Sequence, residues 1–198
     1  MTELFICDTE TTGLDADIHV PVEVAVMNYR TGEIIAWFIP YLSPEDLESA
    51  DPEALCLNGY HRRGLAKQAL SPAETCRQYQ QLFDTLAKQR LGGANPRFDA
   101  TMLTVGYGRA IYQTVPECER PPVVPESWHY RLPAVESYVA GALGLDPGDV
   151  PSLAQACQLL SVDTSPESEH TALADARAAA ECLRRAHAHA QTRAEVAR

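Results

Sequence analysis

Residues 3–14 read ELFICDTETTGL: a short apolar run that ends on two carboxylates, followed by a turn of hydroxyls and glycine. The apolar run over 3–8 predicts a strand, and side chains at i and i+2 of a strand share a face. Asp8 and Glu10 therefore emerge together at the end of that strand, ~6–7 Å apart along it. Two such carboxylates repel one another. A divalent cation converts the repulsion into a ligand set, and hard oxygen donors select Mg²⁺ or Mn²⁺. Taken alone, the same pattern also describes an acidic strand end solvated by water.

Beyond this stretch, residues 22–29 (VEVAVMNY) alternate and are rich in valine, residues 30–33 (RTGE) form a turn, and residues 34–39 (IIAWFI) are apolar and aromatic. Three strands joined by tight connections make a meander. Pro40 and Ser43-Pro44 interrupt the pattern, and residues 44–58 suit a short helix and a loop. Ser71-Pro72-Ala73-Glu74 is a helix start, with serine at the cap, proline at the first helical position and glutamate at the third. Leu82, Phe83 and Leu86 give that helix an apolar face through about Arg90, and Gly92-Gly93 ends it. A further helix is expected from Phe98 to about Tyr112, although Gly106 and Gly108 disfavour it. The proline-rich segment 115–133 reads as a loop or spacer. Helices are expected over 134–144 and 152–160, a loop over 163–169, and an alanine-rich helix over 171–190 with Glu181 and Arg185 at a supportive spacing. The tail 191–198 is expected to fray. Strands first, then helices mixed with further short strands, imply an α/β fold: a sheet covered by helices.

Composition agrees with one domain over residues 1–190. The chain has 198 residues, 45% of them hydrophobic and 22% charged, which is ordinary globular usage and excludes collagen-like, coiled-coil and wholly disordered classes. No apolar run reaches the ~18 residues of a membrane span, and the acidic N-terminus is not a secretory signal, so a cytoplasmic location is expected. The six cysteines form no CxxC pair and no zinc spacing, and read as reduced and mostly buried. The net charge of −11 makes the chain a poor non-specific binder of polyanions. To handle one, it needs a local basic strip or bound cations.

Two more segments carry chemistry. In Ala94-Asn95-Pro96-Arg97-Phe98-Asp99, Asp99 falls near a helix start, where the dipole favours negative charge. In His170-Thr171-Ala172-Leu173-Ala174-Asp175, five helical residues would leave His170 and Asp175 about 140° apart. The two share a site only if His170 lies in the loop and Asp175 in the first turns of the helix.

The three segments, in this order, resemble the DEDDh group of 3′–5′ exonucleases in the ribonuclease H-like superfamily, most of all its proofreading-subunit branch. DTETTGL at 8–14 matches the group's first motif, NPRFD at 95–99 the Asn-x-x-Phe-Asp core of its second, and HTALADA at 170–176 its third. The weaker DPEALCLNGY at 51–60 is similar to a segment that ends in a His-Gly-Ile-type turn. The resemblance implies a mixed central sheet, antiparallel meander plus parallel strands, flanked by helices. It implies that Asp8, Glu10, Asp99 and Asp175 bind two divalent cations, Mg²⁺ or Mn²⁺. His170 would be the general base, a role suited to imidazole near neutral pH. Thr11, Gly13 and Leu14 would border the terminal nucleotide, Asn95 and Phe98 would shape the site behind the base, and Leu57 and Asn58 would contact the nucleotide.

Asn58 and Tyr60 depart from the group's turn, and the proline-rich segment looks like an insertion. Arg62, Arg63 and Lys67 follow that turn and are candidates for guiding the phosphates, against the plainer reading of an exposed helical face. Leu14 or Tyr60 is a candidate for stacking on a terminal base. The implied substrate is the 3′ end of a nucleic acid, DNA ahead of RNA, in repair, replication or degradation. The proofreading resemblance raises a DNA polymerase as a partner, although the sequence carries no clear polymerase-tethering motif. The alternatives are an exoribonuclease using the same chemistry and, more remotely, a non-catalytic nucleic-acid-binding module. The second is disfavoured because all five active-site positions are filled.

Overall fold

The computed structural model describes residues 2–164 and 170–196. The meander forms where the alternation places it. Strands β1 (Leu4–Thr11), β2 (Pro21–Asn28) and β3 (Ile34–Phe38) pair antiparallel in succession. A fourth strand, β4 (Arg90–Gly92), lies parallel to β1 on its other side, so the order among the described residues is β3-β2-β1-β4. The helix expected to run through Arg90 therefore stops short, and Arg90 begins a strand. A three-residue strand is too short to show a period of two, so the sequence pattern does not reveal it.

The helices are α1 (Pro44–Glu48), α2 (Pro52–Leu57), α3 (Leu65–Gln68), α4 (Pro72–Leu86), α5 (Pro96–Thr114), α6 (Val135–Leu143), α7 (Leu153–Leu160) and α8 (Ala172–Val196). Ser71 Oγ accepts from the Glu74 amide at the start of α4, as the capping signature requires. Helix α5 tolerates Gly106 for a packing reason: a Cβ there would run into the Tyr79 hydroxyl of α4, so glycine sets the approach of the two helices. Helix α8 continues to Val196, and Arg193 Nη1 donates to the Ala142 carbonyl at 3.1 Å.

Alternation along β1 and β2 divides the core in two. Phe5, Cys7, Val24 and Val26 bury against α4 and α5, meeting Tyr79, Leu82, Phe83, Leu103 and Tyr107. Ile6, Ala25 and Met27 bury on the other face against α6, α7 and α8. The alanines of α8 (Ala172, Ala176, Ala179, Ala180) let that helix lie close to the sheet. A small third cluster of Val22, Ile39, Leu55, Tyr60 and Leu65 seats α2 and α3 beside the end of β2.

The proline-rich segment holds one 3₁₀ turn (Glu117–Glu119) and is anchored toward its C-terminal end. Trp128 is buried edge-on to Phe83, the Lys88 amide donates to Ser127 O at 2.8 Å, and the His129 amide donates to Gln89 O at 2.7 Å. It is a strap across the α4–α5 side. The loop expected over 163–169 lies largely outside the described residues. Cys7, Cys157 and Cys182 are buried, whereas Cys56 and Cys118 are exposed, so burial of the cysteines is less general than expected. Among the described residues no helix is long and apolar enough to cross a membrane.

Candidate active site

The alternation that divides the core also divides the acids. Asp8 and Glu10 lie opposite Ala25 and Glu23 in the β1–β2 ladder, on the face covered by α8. Asp175, in the first turn of α8, comes down onto them. Asp8, Glu10 and Asp175 each offer an oxygen, and the three oxygens lie within 4.8 Å of one another. All three residues are half-buried. Asp99 approaches from the other face. It sits in the first turn of α5, is 3% exposed, and accepts a 2.8 Å hydrogen bond from Thr9 Oγ1 at its Oδ1. It stands near enough to Asp8 to raise the latter's pKa, but it lies outside the tight group of three.

Gly93, just past β4, makes this approach possible. A Cβ there would stand 2.5 Å from Cys7 O and 3.3 Å from Asp99 Oδ2. The acids therefore converge at the carboxyl ends of the two parallel strands, where α/β sheets place their ligands.

Crowding sets the electrostatics. The Asp8 carboxyl is held well above the usual carboxylate range, first by burial, then by the charges of Asp99, Asp175, Glu10 and Glu23. Glu10 is pushed up to about 7 by burial and by Asp175 and Glu23, with Arg63 opposing. Burial pushes Asp99 up to about 7 against the bonds from Thr9 that favour its ionised form. Carboxylates that crowd and raise one another in this way suit a hard divalent cation, which relieves the repulsion.

His170 is exposed, with left-handed backbone (φ 58°), and immediately precedes Thr171, whose carbonyl accepts from the Asp175 amide at 3.0 Å. The histidine is thus in the loop and the aspartate in the helix, as a shared site requires. Both line a largely apolar cleft of about 540 Å³ between α7 and α8.

The remaining sequence candidates divide. Leu14 and Leu57 are 83% and 57% exposed, on segments tied together by the Asp51 amide donating to Thr12 O at 2.7 Å. Thr11 is buried and donates to Gly13 O at 2.7 Å, and Gly13 packs beneath the His19 ring. Asn58 is buried, and both ends of its amide are used internally: Nδ2 donates to Thr11 O and Oδ1 accepts from the Tyr60 amide, each at 3.0 Å. Tyr60, a candidate for base stacking, is instead buried in the third cluster. Asn95 is exposed and lines a cleft of about 480 Å³ with Tyr130 and Leu132, whereas Phe98 is half-buried and does not line it. Arg62 and Lys67 are exposed. Arg63, grouped with them as a phosphate guide, instead pairs with Glu23 at 2.8 Å.

Glu23 is a residue that the sequence motifs do not single out. Its carboxylate is fully buried beside Glu10. The signal that could have found it is an acid at an inward position in the otherwise apolar run VPVEVAVM.

Fold and site together define an α/β protein with an acidic centre at the carboxyl edge of a mixed ribonuclease H-like sheet. The chain belongs to the Exonuclease (RNase T) family, whose profile matches residues 5–183, and within it to the DEDDh type. Solved structures agree on the fold. Escherichia coli exonuclease I in complex with a dA16 oligonucleotide matches at 16% identity and TM-score 0.62, over 91% of this chain and 40% of that one. An ExoI/SSB-Ct complex matches at 16% identity and TM-score 0.65, over 98% of this chain and 42% of that one. Exonuclease I from Methylocaldum szegediense matches at 20% identity and TM-score 0.61, over 93% and 40%. This chain thus spans about 40% of the length of these structures. No curated protein sequence matches the chain.

Proposed function

We propose that the protein is a metal-dependent 3′–5′ exonuclease that releases nucleoside monophosphates from the 3′ end of single-stranded DNA. The observation that carries this reading is the convergence of Asp8, Glu10 and Asp175 within 4.8 Å, with His170 at the mouth of the same helix. The exonuclease I structure with bound dA16 supports the DNA choice.

In this reading Asp8, Glu10 and Asp175 hold divalent cations, Mg²⁺ or Mn²⁺, with Asp99 completing the anionic wall from the opposite sheet face. Two such cations, when bound, neutralise the scissile phosphate and lower the pKa of the attacking water. His170 accepts the proton as that water attacks phosphorus. The bond from phosphorus to the 3′ oxygen of the penultimate nucleotide breaks, and the terminal nucleotide leaves with a 5′-phosphate. Exposed Leu14 and Leu57 meet the terminal nucleotide, and Arg62 and Lys67 steer the phosphates.

The test is a time course on 5′-labelled single-stranded DNA and RNA of one sequence, with Mn²⁺, with EDTA, and with Asp8→Ala. Shortening from the 3′ end on DNA, abolished by EDTA and by Asp8→Ala, is the expected result. Shortening confined to RNA would overturn the substrate assignment. Activity that survives EDTA and Asp8→Ala would overturn the site.

A further inference from the structure

Glu23 is fully buried, yet the proposed chemistry does not use it. Its carboxylate takes three donors from three elements. Oε1 accepts from Trp37 Nε1 of β3 at 2.8 Å. Oε2 pairs with Arg63 Nη2, from the turn between α2 and α3, at 2.8 Å, and accepts from the Ala172 amide at 3.3 Å. Ala172 is the first residue of α8, and the first amides of a helix have no partner within it. Glu23 therefore supplies one of the acceptors that α8 lacks. Three donors thus engage Glu23, one on Oε1 and two on Oε2, although it stands opposite Glu10.

The ion pair continues on its other side. Arg63 Nη1 donates to Asn58 O at 3.1 Å, and Asn58 Nδ2 donates to Thr11 O at 3.0 Å. A continuous path of polar contacts thus runs from the end of β1, through the turn that presents Leu57, to the start of α8. The same path accounts for Asn58, which the family resemblance places at the nucleotide, and for Arg63, a candidate phosphate guide.

We infer that Glu23, with Arg63 as its counter-ion, is a positioning residue that fixes the start of α8, and with it His170 and Asp175, against the carboxylates of β1. The inference rests on the active-site assignment proposed for this chain. A residue that orients metal-binding groups typically costs ~10–100-fold in affinity or activity when it is changed. A phosphate contact would instead show in the salt dependence of binding.

The experiment compares Glu23→Gln, Arg63→Gln and the double variant with the wild-type chain. Steady-state kinetics on 5′-labelled single-stranded DNA with Mn²⁺ give kcat and KM, and hydrogen exchange in EDTA gives local protection. Each single variant should lower kcat by about 10–100-fold with KM little changed. Exchange should accelerate across residues 171–176 while the β1–β2 amides keep their protection. The double variant should be no worse than the poorer single one, because the pair acts as a unit. Exchange that is unchanged, or that rises uniformly with a fall in Tm, would overturn the inference. So would an Arg63→Gln variant with intact kcat, raised KM and a flattened salt slope. If Glu23→Gln does not fold, Arg63→Gln decides by the same readouts, since that side chain is 21% exposed. If the wild-type chain cleaves no nucleic acid, the proposed function fails, and the exchange pattern alone decides this inference.

Discussion

Thr9 Oγ1 donates a 2.8 Å hydrogen bond to Asp99 Oδ1, on the sheet face opposite to Asp8 and Glu10. The bond joins β1 to the first turn of α5 and engages a carboxylate that is only 3% exposed. It favours the ionised form of Asp99, while burial raises that pKa to about 7. Thr9→Val should therefore destabilise the metal-free protein more at pH 8, where Asp99 is mostly ionised, than at pH 5.5. A hydrogen bond to a charged group is worth about 1.5–3 kcal/mol. Urea unfolding in EDTA at the two pH values measures the difference, and an equal loss at both would contradict the assignment.

The metal-free protein should lose stability as pH rises. Glu10 moves from an ordinary 4.5, and Asp99 from 3.8, up to about 7 in the folded protein. Between those limits the folded state binds more protons than the unfolded state, so the free energy of unfolding falls with increasing pH. Below the unfolded values both states are protonated and the penalty is absent. Above about 7 both are ionised and it is complete. Tm in EDTA should therefore decline from pH 5 to pH 8. Added Mn²⁺ should raise Tm at pH 8 and do little at pH 5, where protons occupy the same oxygens. A rising Tm in EDTA over this range would show that the carboxylates are not mutually repelled.

Asp8→Asn separates stability from function. The substitution removes an ionisable carboxyl from a site where Asp8 is crowded by Asp99, Asp175, Glu10 and Glu23. At pH 8 in EDTA the variant should melt above the wild type, because burying a neutral amide avoids the like-charge repulsion. The Mn²⁺-induced rise in Tm should shrink, and exonuclease activity should fall to background. Differential scanning fluorimetry with and without Mn²⁺ reads the two thermal effects. A lower Tm in EDTA together with a retained Mn²⁺ response would remove Asp8 from the ligand set.

The first three strands and the pairing of Asp8 with Glu10 are legible in the sequence because each rests on a short-range rule. Period-two alternation places the meander, and i, i+2 geometry puts the first two acids on one face. The requirement that His170 be in a loop and Asp175 in a helix lets those two share a site, but only the resemblance to the DEDDh group brings Asp175 to Asp8 and Glu10. The features that the sequence does not reveal depend on contacts between distant segments. Strand β4 exists because Arg90–Gly92 finds β1, and its three residues carry no period of their own. Asn58 and Arg63 look available to substrate because the sequence does not show that Thr11 and Glu23 use their polar atoms. The strap over 115–133 looks like a spacer because Trp128 meets Phe83 across a long separation in sequence.

His170 adds a constraint that determines how its role must be tested. Its backbone is left-handed, φ 58°, a conformation that costs a non-glycine residue roughly 1–2 kcal/mol. His170→Ala therefore removes the imidazole but leaves a residue that disfavours this backbone, and a loss of rate would mix two causes. His170→Gly removes the imidazole and adopts the same φ without strain. If His170 takes the proton from the attacking water, both variants should lower kcat by about 10²–10⁴. Mn²⁺ binding by calorimetry should be retained in both, because the imidazole is not among the converging oxygen donors. Added imidazole should restore part of the rate of His170→Gly, with a rescue that grows as the free base accumulates near pH 7. Full activity in His170→Gly alongside a slow His170→Ala would instead assign the effect to the backbone, and the general base would have to be sought elsewhere.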